Sequence, residues 1–128
     1  MSEIKDPEQS TLDPQLQSIL DSQDADTGQF VYCATCSHIL TRIDYKIEVN
    51  GGFAHTFTNP HNFTFHIGCF SQALGCDIAG EPQAADSWFY GYVWRLASCA
   101  ECHNHLGWYF SRHNDFFYGL ILDRIQEE

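Results

Sequence analysis

Two pairs of cysteines carry the most legible chemistry in this sequence. Cys33 and Cys36 flank two residues, and so do Cys99 and Cys102. A Cys-x-x-Cys turn aims two thiolates at one centre, and two such turns supply the tetrahedral sulfur set that Zn²⁺ prefers. Soft thiolates disfavour Mg²⁺ and Ca²⁺. Four thiolates leave no coordination position for water, so the expected metal is one structural Zn²⁺. Redox-active thiols and an iron–sulfur cluster are the competing readings, and paired knuckles in a reducing setting favour zinc. Cys69 and Cys76 lie outside any knuckle and read as small buried apolar side chains. His103 and His105 adjoin the second pair, but four cysteines already complete a ligand set.

The tryptophans form the second group. All three, Trp88, Trp94 and Trp108, fall within one short stretch, and Phe110 follows two residues after the last. On a strand, Trp108 and Phe110 face the same side. Trp88 and Trp94 straddle Gly91, where a turn or bulge would bring their rings together. Several aromatic walls make a box for a flat or cationic small ligand, through stacking, CH–π contact or cation–π attraction. Plain core packing competes with that reading, since large aromatics mostly serve burial.

Short strands must position these groups. Phe30-Val31-Tyr32 leads into the first cysteine pair, and Ile39 to Val49 alternates loosely up to the turn signal Asn50-Gly51-Gly52. Phe53–Thr58 and Phe63–Ile67 flank the turn former Asn59-Pro60-His61-Asn62. Gly75 to Ala85 reads as a loop, and Trp88 to Leu96 is a run of large apolar residues broken at Gly91. Leu106–Phe110 and Phe116–Leu122 complete the pattern, and Leu120–Gln126 reads equally as strand or helical turn. The fold class expected is mostly β.

Residues 1–28 differ: they are acidic and lack aromatics. They are expected to form an arm, partly disordered, with one short helix capped by Asp13 and opened by Pro14. The domain proper is expected over residues 29–125. The net charge of −11 disfavours nucleic acid and anionic membranes as partners. The N-terminus has no signal-peptide pattern and no stretch approaches a membrane span, so a cytoplasmic location is expected.

The run Ser87-Trp88-Phe89-Tyr90-Gly91-Tyr92-Val93-Trp94, the knuckle Cys99-x-x-Cys102 and the segment His105-Leu106-Gly107-Trp108-Tyr109-Phe110 together resemble the CULT domain family. This is the thalidomide-binding domain of cereblon, and the brevity of the chain resembles its single-domain bacterial relatives. The match extends upstream through Cys33-x-x-Cys36, His55-Thr56-Phe57, Asn59-Pro60 and Cys69-Phe70, and downstream through Phe116–Leu120. The resemblance implies a β-tent, two antiparallel sheets pinned by the zinc. It implies a cage of Trp88, Trp94 and Trp108 with Phe110 as a fourth wall. The implied ligand is a cyclic imide: the glutarimide of thalidomide-type drugs, or a related hydantoin or uracil-like ring. Backbone groups around Asp86, Ser87 and Trp88 would hydrogen-bond it, Asn59 and Pro60 would border it, and Phe65 would be an outer contact. Animal members carry His where this chain has Asp86; ionised Asp86 offers no side-chain donor.

No enzyme is expected. The B-type methionine sulfoxide reductases share this zinc-bearing fold, but they need a nucleophilic cysteine on a later strand, and no Cys follows Cys102. Imide or nucleoside hydrolysis with His55, His61 or His66 as base has no identifiable nucleophile beside it. A reader of cyclic-imide peptide C-termini is a further binding function that suits the cage.

Overall fold

The computed structural model describes residues 29–127; the arm and helix expected over residues 1–28 lie outside the described residues. Among the described residues all strand pairing is antiparallel. The strands are β1 (Phe30–Cys33), β2 (Ile39–Arg42), β3 (Ala54–Thr58), β4 (Thr64–Phe70), β5 (Cys76–Gln83), β6 (Val93–Cys99), β7 (His105–Arg112), β8 (Asp115–Ile121) and β9 (Ile125–Glu127). They form a three-stranded sheet in the order β2-β1-β9 and a six-stranded sheet in the order β3-β4-β8-β7-β6-β5. Among the described residues no helix is long and apolar enough to cross a membrane.

Local sequence explains most of these elements. β1 is built of the β-branched and aromatic residues that suit a pleated, half-buried surface. β3 alternates strictly, with Thr56 and Thr58 exposed and His55 and Phe57 turned inward, as an edge strand with one solvated face should. The turn Asn59–Asn62 closes the β3–β4 hairpin. There Asn59 Oδ1 accepts from the backbone N–H of His61 and of Phe63, at 3.0 and 2.9 Å, the local bonding for which Asn is favoured in turns.

Two expectations need correction. The segment read as a loop from Gly75 to Ala85 holds strand β5. Its Gly80 and Pro82 are turn formers, but β5 is an edge strand with an irregularity between Ala79 and Gln83, where both residues are tolerated. The alternation over Ile39–Val49 is strand only to Arg42, and a 3₁₀ turn at Ile43–Tyr45 follows. The tail contains both alternatives: β8 ends at Ile121, a 3₁₀ turn spans Leu122–Arg124, and β9 joins the smaller sheet.

Two buried clusters lie between and beside the sheets. One joins Val31, Cys33 and Leu40 of the small sheet to Phe70, Cys76, Ala97, Cys99, Leu106 and Leu120 of the large one. The other, under β7 and β8, contains Phe89, Phe110, Phe117, Ile67, Cys69 and Ile121. Cys69 and Cys76 are thus core residues, and burial pushes each thiol up to about 12. Gly75 joins the sheets directly: its N–H donates to the Leu40 carbonyl and its carbonyl accepts from Ala100, both at 3.0 Å. A Cβ at Gly75 would overlap the Ile39 carbonyl oxygen, so only glycine fits this approach.

Candidate metal centre and ligand cavity

The two cysteine knuckles are nearly the same turn built twice. The N–H of Ser37 donates to the Cys33 carbonyl at 2.8 Å, and that of His103 to the Cys99 carbonyl at 2.9 Å. Ser37 and His103 both take left-handed backbone conformations, with φ of 67° and 66°. Each turn lifts its thiols off the end of a strand, β1 in one case and β6 in the other.

The four sulfur atoms converge. All lie within 4.8 Å of one another, with Cys33 Sγ 3.7 Å from Cys102 Sγ and Cys36 Sγ 3.6 Å from Cys99 Sγ. A tetrahedron of Zn–S bonds near 2.3 Å has edges of about 3.8 Å, so the set fits a single ion of that kind. The electrostatics agree. Burial raises the Cys33 thiol, but the backbone amides of Cys36 and Thr35 outweigh it and bring it below its ordinary value. For Cys36 the His38 amide pulls down, yet desolvation and the neighbouring cysteines push it up to about 12. Burial raises Cys99. Thiols this crowded do not all ionise without a cation among them. Neither His103 nor His105 belongs to the set. The His105 Nε2 instead lies 2.9 Å from the Gly107 carbonyl, to which it donates.

The second site is a cavity of about 260 Å³. Among the described residues three parts of the fold line it. The β3–β4 turn supplies Asn59, Pro60 and His61, the loop before β6 supplies Asp86 and Trp88, and the strands β6 and β7 supply Trp94, Trp108 and Phe110. Register explains the strand contribution: Trp94 pairs directly with Phe110, and Leu96 with Trp108, so these side chains share one face. Phe110 is 1% exposed and is the floor, packed against Phe89 and Phe117 at centroid distances of 4.9 and 5.1 Å.

The walls are braced from outside. Trp88 meets Trp108 edge to face at 4.8 Å and 74°. Phe57 lies parallel to Trp88 at 4.9 Å and 10°, and His55 lies parallel to Phe57 at 5.8 Å. The Trp94 indole N–H donates to the Ala85 carbonyl at 2.8 Å, tying β6 to the loop that carries Trp88. Asp86 occupies left-handed backbone space, φ 58°, at the rim. The far end of that loop is held by Tyr92, whose hydroxyl donates to the Asp115 carboxylate, with the Arg112 guanidinium over its ring.

Of the site residues expected from sequence, Asn59, Pro60, Asp86, Trp88, Trp94, Trp108 and Phe110 line this cavity. Phe65 stands behind the walls, 5.2 Å from Trp108 and 6.0 Å from Trp88. The Ser87 hydroxyl donates to the Phe89 carbonyl at 3.1 Å, shaping the loop. His61 as a lining residue and Phe57 as a brace were missed. The position of His61 directly after Asn59-Pro60 was the available signal for the first; no spacing rule linked Phe57 to a tryptophan 31 positions away.

No family model matches the chain. It is similar to cereblon from Gallus gallus, 36% identical over 107 residues that are 74% of this chain and 24% of that protein. It is 33% identical to cereblon from Xenopus tropicalis over 87 residues, 64% of this chain and 19% of that one, and 33% identical to cereblon from Danio rerio over 67 residues, 52% and 15%. The chain spans a quarter or less of the length of these relatives.

Proposed function

The chain carries a cereblon-like domain, and on that premise we propose that it is a binding module, not an enzyme, which captures cyclic imides in the tryptophan-lined cavity. The observation that carries this is the cavity itself: three indoles and a phenyl ring around about 260 Å³, a little below the range of drug-sized pockets. A glutarimide suits it. Its CH₂–CH₂ edge packs on tryptophan faces, while its N–H and two carbonyls need partners that backbone groups near Asp86 and Trp88 supply. Each buried polar group left without one would cost about 1–3 kcal/mol. Hydantoin and uracil-like rings share that pattern. Cyclic imides at peptide C-termini would enter the same way, with the peptide leaving past Asn59 and Pro60.

The four-cysteine centre holds one Zn²⁺ in this reading, and its role is structural, because thiolates fill all four positions. A cytoplasmic setting, where thiols stay reduced, suits it. The sulfoxide reductase alternative has no nucleophile, since no cysteine follows Cys102.

Titration with unsubstituted glutarimide, followed by tryptophan fluorescence, tests the proposal. A saturable change in emission is expected. A flat titration up to the solubility limit of the imide would overturn it.

A further inference from the structure

The cavity has a feature that imide binding does not use. Among the described residues its lining includes one acidic residue, Asp86, and neither Lys nor Arg; His61 is the only other titratable residue among them. The cations nearest in sequence are engaged elsewhere. Arg95 donates to the Gly80 carbonyl at 2.8 Å, and Arg112 lies over Tyr92, 4.0 Å from Asp115. The whole chain carries a net charge of −11, so its field draws cations toward it.

Three tryptophans, a phenylalanine floor and an acidic residue at an exposed position are the components of a cation–π cage. Ring quadrupoles present negative faces, tryptophan most strongly, and they attract a cation whose hydration is weak enough to shed. A methylated ammonium meets that condition: its methyl groups pack on the rings as a hydrocarbon would, while its charge is spread over them. We propose that this cavity also takes a quaternary or methylated ammonium group, with Asp86 as its counter-charge. The inference rests on the same reading of the cavity as a ligand site, but not on the imide.

The test is a set of fluorescence titrations on the full chain. Choline represents a free small molecule, and a peptide carrying trimethyllysine represents a modified side chain; 3,3-dimethylbutan-1-ol is the neutral isostere of choline. At least one ammonium ligand should bind, and choline or the peptide should bind about tenfold tighter than its neutral isostere, a tert-butyl analogue of the side chain serving for the peptide. Asp86→Asn should weaken that ammonium ligand by about fivefold. Asn also tolerates left-handed backbone, so the loop keeps its conformation. Glu48→Gln removes an equal charge from an exposed position outside the lining and should change affinity less than twofold. Equal binding of cation and isostere, an unaltered affinity in Asp86→Asn, or no saturable response to either ammonium would overturn the inference. Glutarimide, run in parallel, separates the two readings. If the imide binds and neither ammonium does, this inference alone falls; if an ammonium binds and the imide does not, the imide proposal falls.

Discussion

At the scale of single residues, the cage walls differ in how replaceable they are. Phe110 is core as well as floor, so truncating it would open a void beneath the cavity and confuse binding with stability. Trp108 is half-buried and faces the cavity from mid-strand. Trp108→Ala should therefore weaken glutarimide roughly 30-fold or more, the scale of removing a tryptophan anchor, while the metal content stays unchanged. An unaltered affinity would remove Trp108 from the cage. Its neighbour His105 offers a separate check. The imidazole packs edge-on to Trp108 at 5.0 Å, and burial lowers its pKa below the ordinary 6.5, aided by the Arg124 charge and opposed by the bond to Gly107. A histidine held neutral binds fewer protons folded than unfolded between its folded pKa and 6.5. Its contribution to stability is therefore complete above 6.5 and declines as pH falls through that window. An NMR titration should place His105 below 6.5, and His105→Gln should flatten the acid side of the stability profile there. A midpoint at or above 6.5 would contradict the burial argument.

At the scale of elements, the cage is an agreement between a hairpin, a loop and a strand pair. Trp88 belongs to no strand, so its position depends on what grips it. Phe57 on β3 stacks flat against it, and the loop is tied at Ala85 and at Tyr92. Phe57→Leu keeps apolar volume but removes the flat face. It should weaken glutarimide about twofold to tenfold, given the 0.5–1.5 kcal/mol that aromatic pairs contribute beyond burial, and Phe57→Tyr should restore binding. A Phe57→Leu protein with normal affinity would mean that the loop holds Trp88 unaided. These element contacts also mark how far sequence reasoning reached. Two-residue spacing sufficed to place Trp108 and Phe110 on one face, and knuckle spacing sufficed to gather four thiols. Both are local rules. The stack of Phe57 on Trp88 is a long-range contact with no local signature, and β5 was hidden because its turn formers are permitted only by its place at a sheet edge. Phe65 and Ser87 lay in the right segments, but which of a segment's side chains lines a cavity and which backs it depends on packing between elements.

At the scale of the whole molecule, the four-cysteine cluster and the cavity share one hairpin. Cys99 ends β6 and Cys102 precedes β7, so an ion held there would close the turn of the pair whose other end carries Trp94 opposite Phe110. The same ion would also be held by Cys33 and Cys36 and would so join the small sheet to the large one. Other links between the sheets include the two Gly75 backbone bonds, the Thr41 hydroxyl donating to the Gln72 carbonyl at 2.6 Å, the Asn104 side-chain amide donating to the Thr35 hydroxyl at 3.2 Å, the Arg124 guanidinium donating to the His105 carbonyl at 2.8 Å, and one shared core cluster. A domain of this size buries only about two thirds of its chain's surface on folding, so a staple adds materially to its stability. Metal coordination in small structural sites is worth on the order of 10 kcal/mol, comparable with the entire stability of a typical domain. Stripping the metal with a strong chelator should therefore lower the melting temperature by at least about 20 °C, given several degrees per kcal/mol at this length. Glutarimide binding should be lost with it, because the turn that sets the Trp94–Phe110 hairpin opens. Thermal unfolding followed by near-UV circular dichroism, with metal content measured on the same samples, reads both effects. An unchanged melting temperature in metal-free protein would show that packing between the sheets suffices. Intact imide binding despite a lowered melting temperature would show that β6 and β7 hold the cage without the turn.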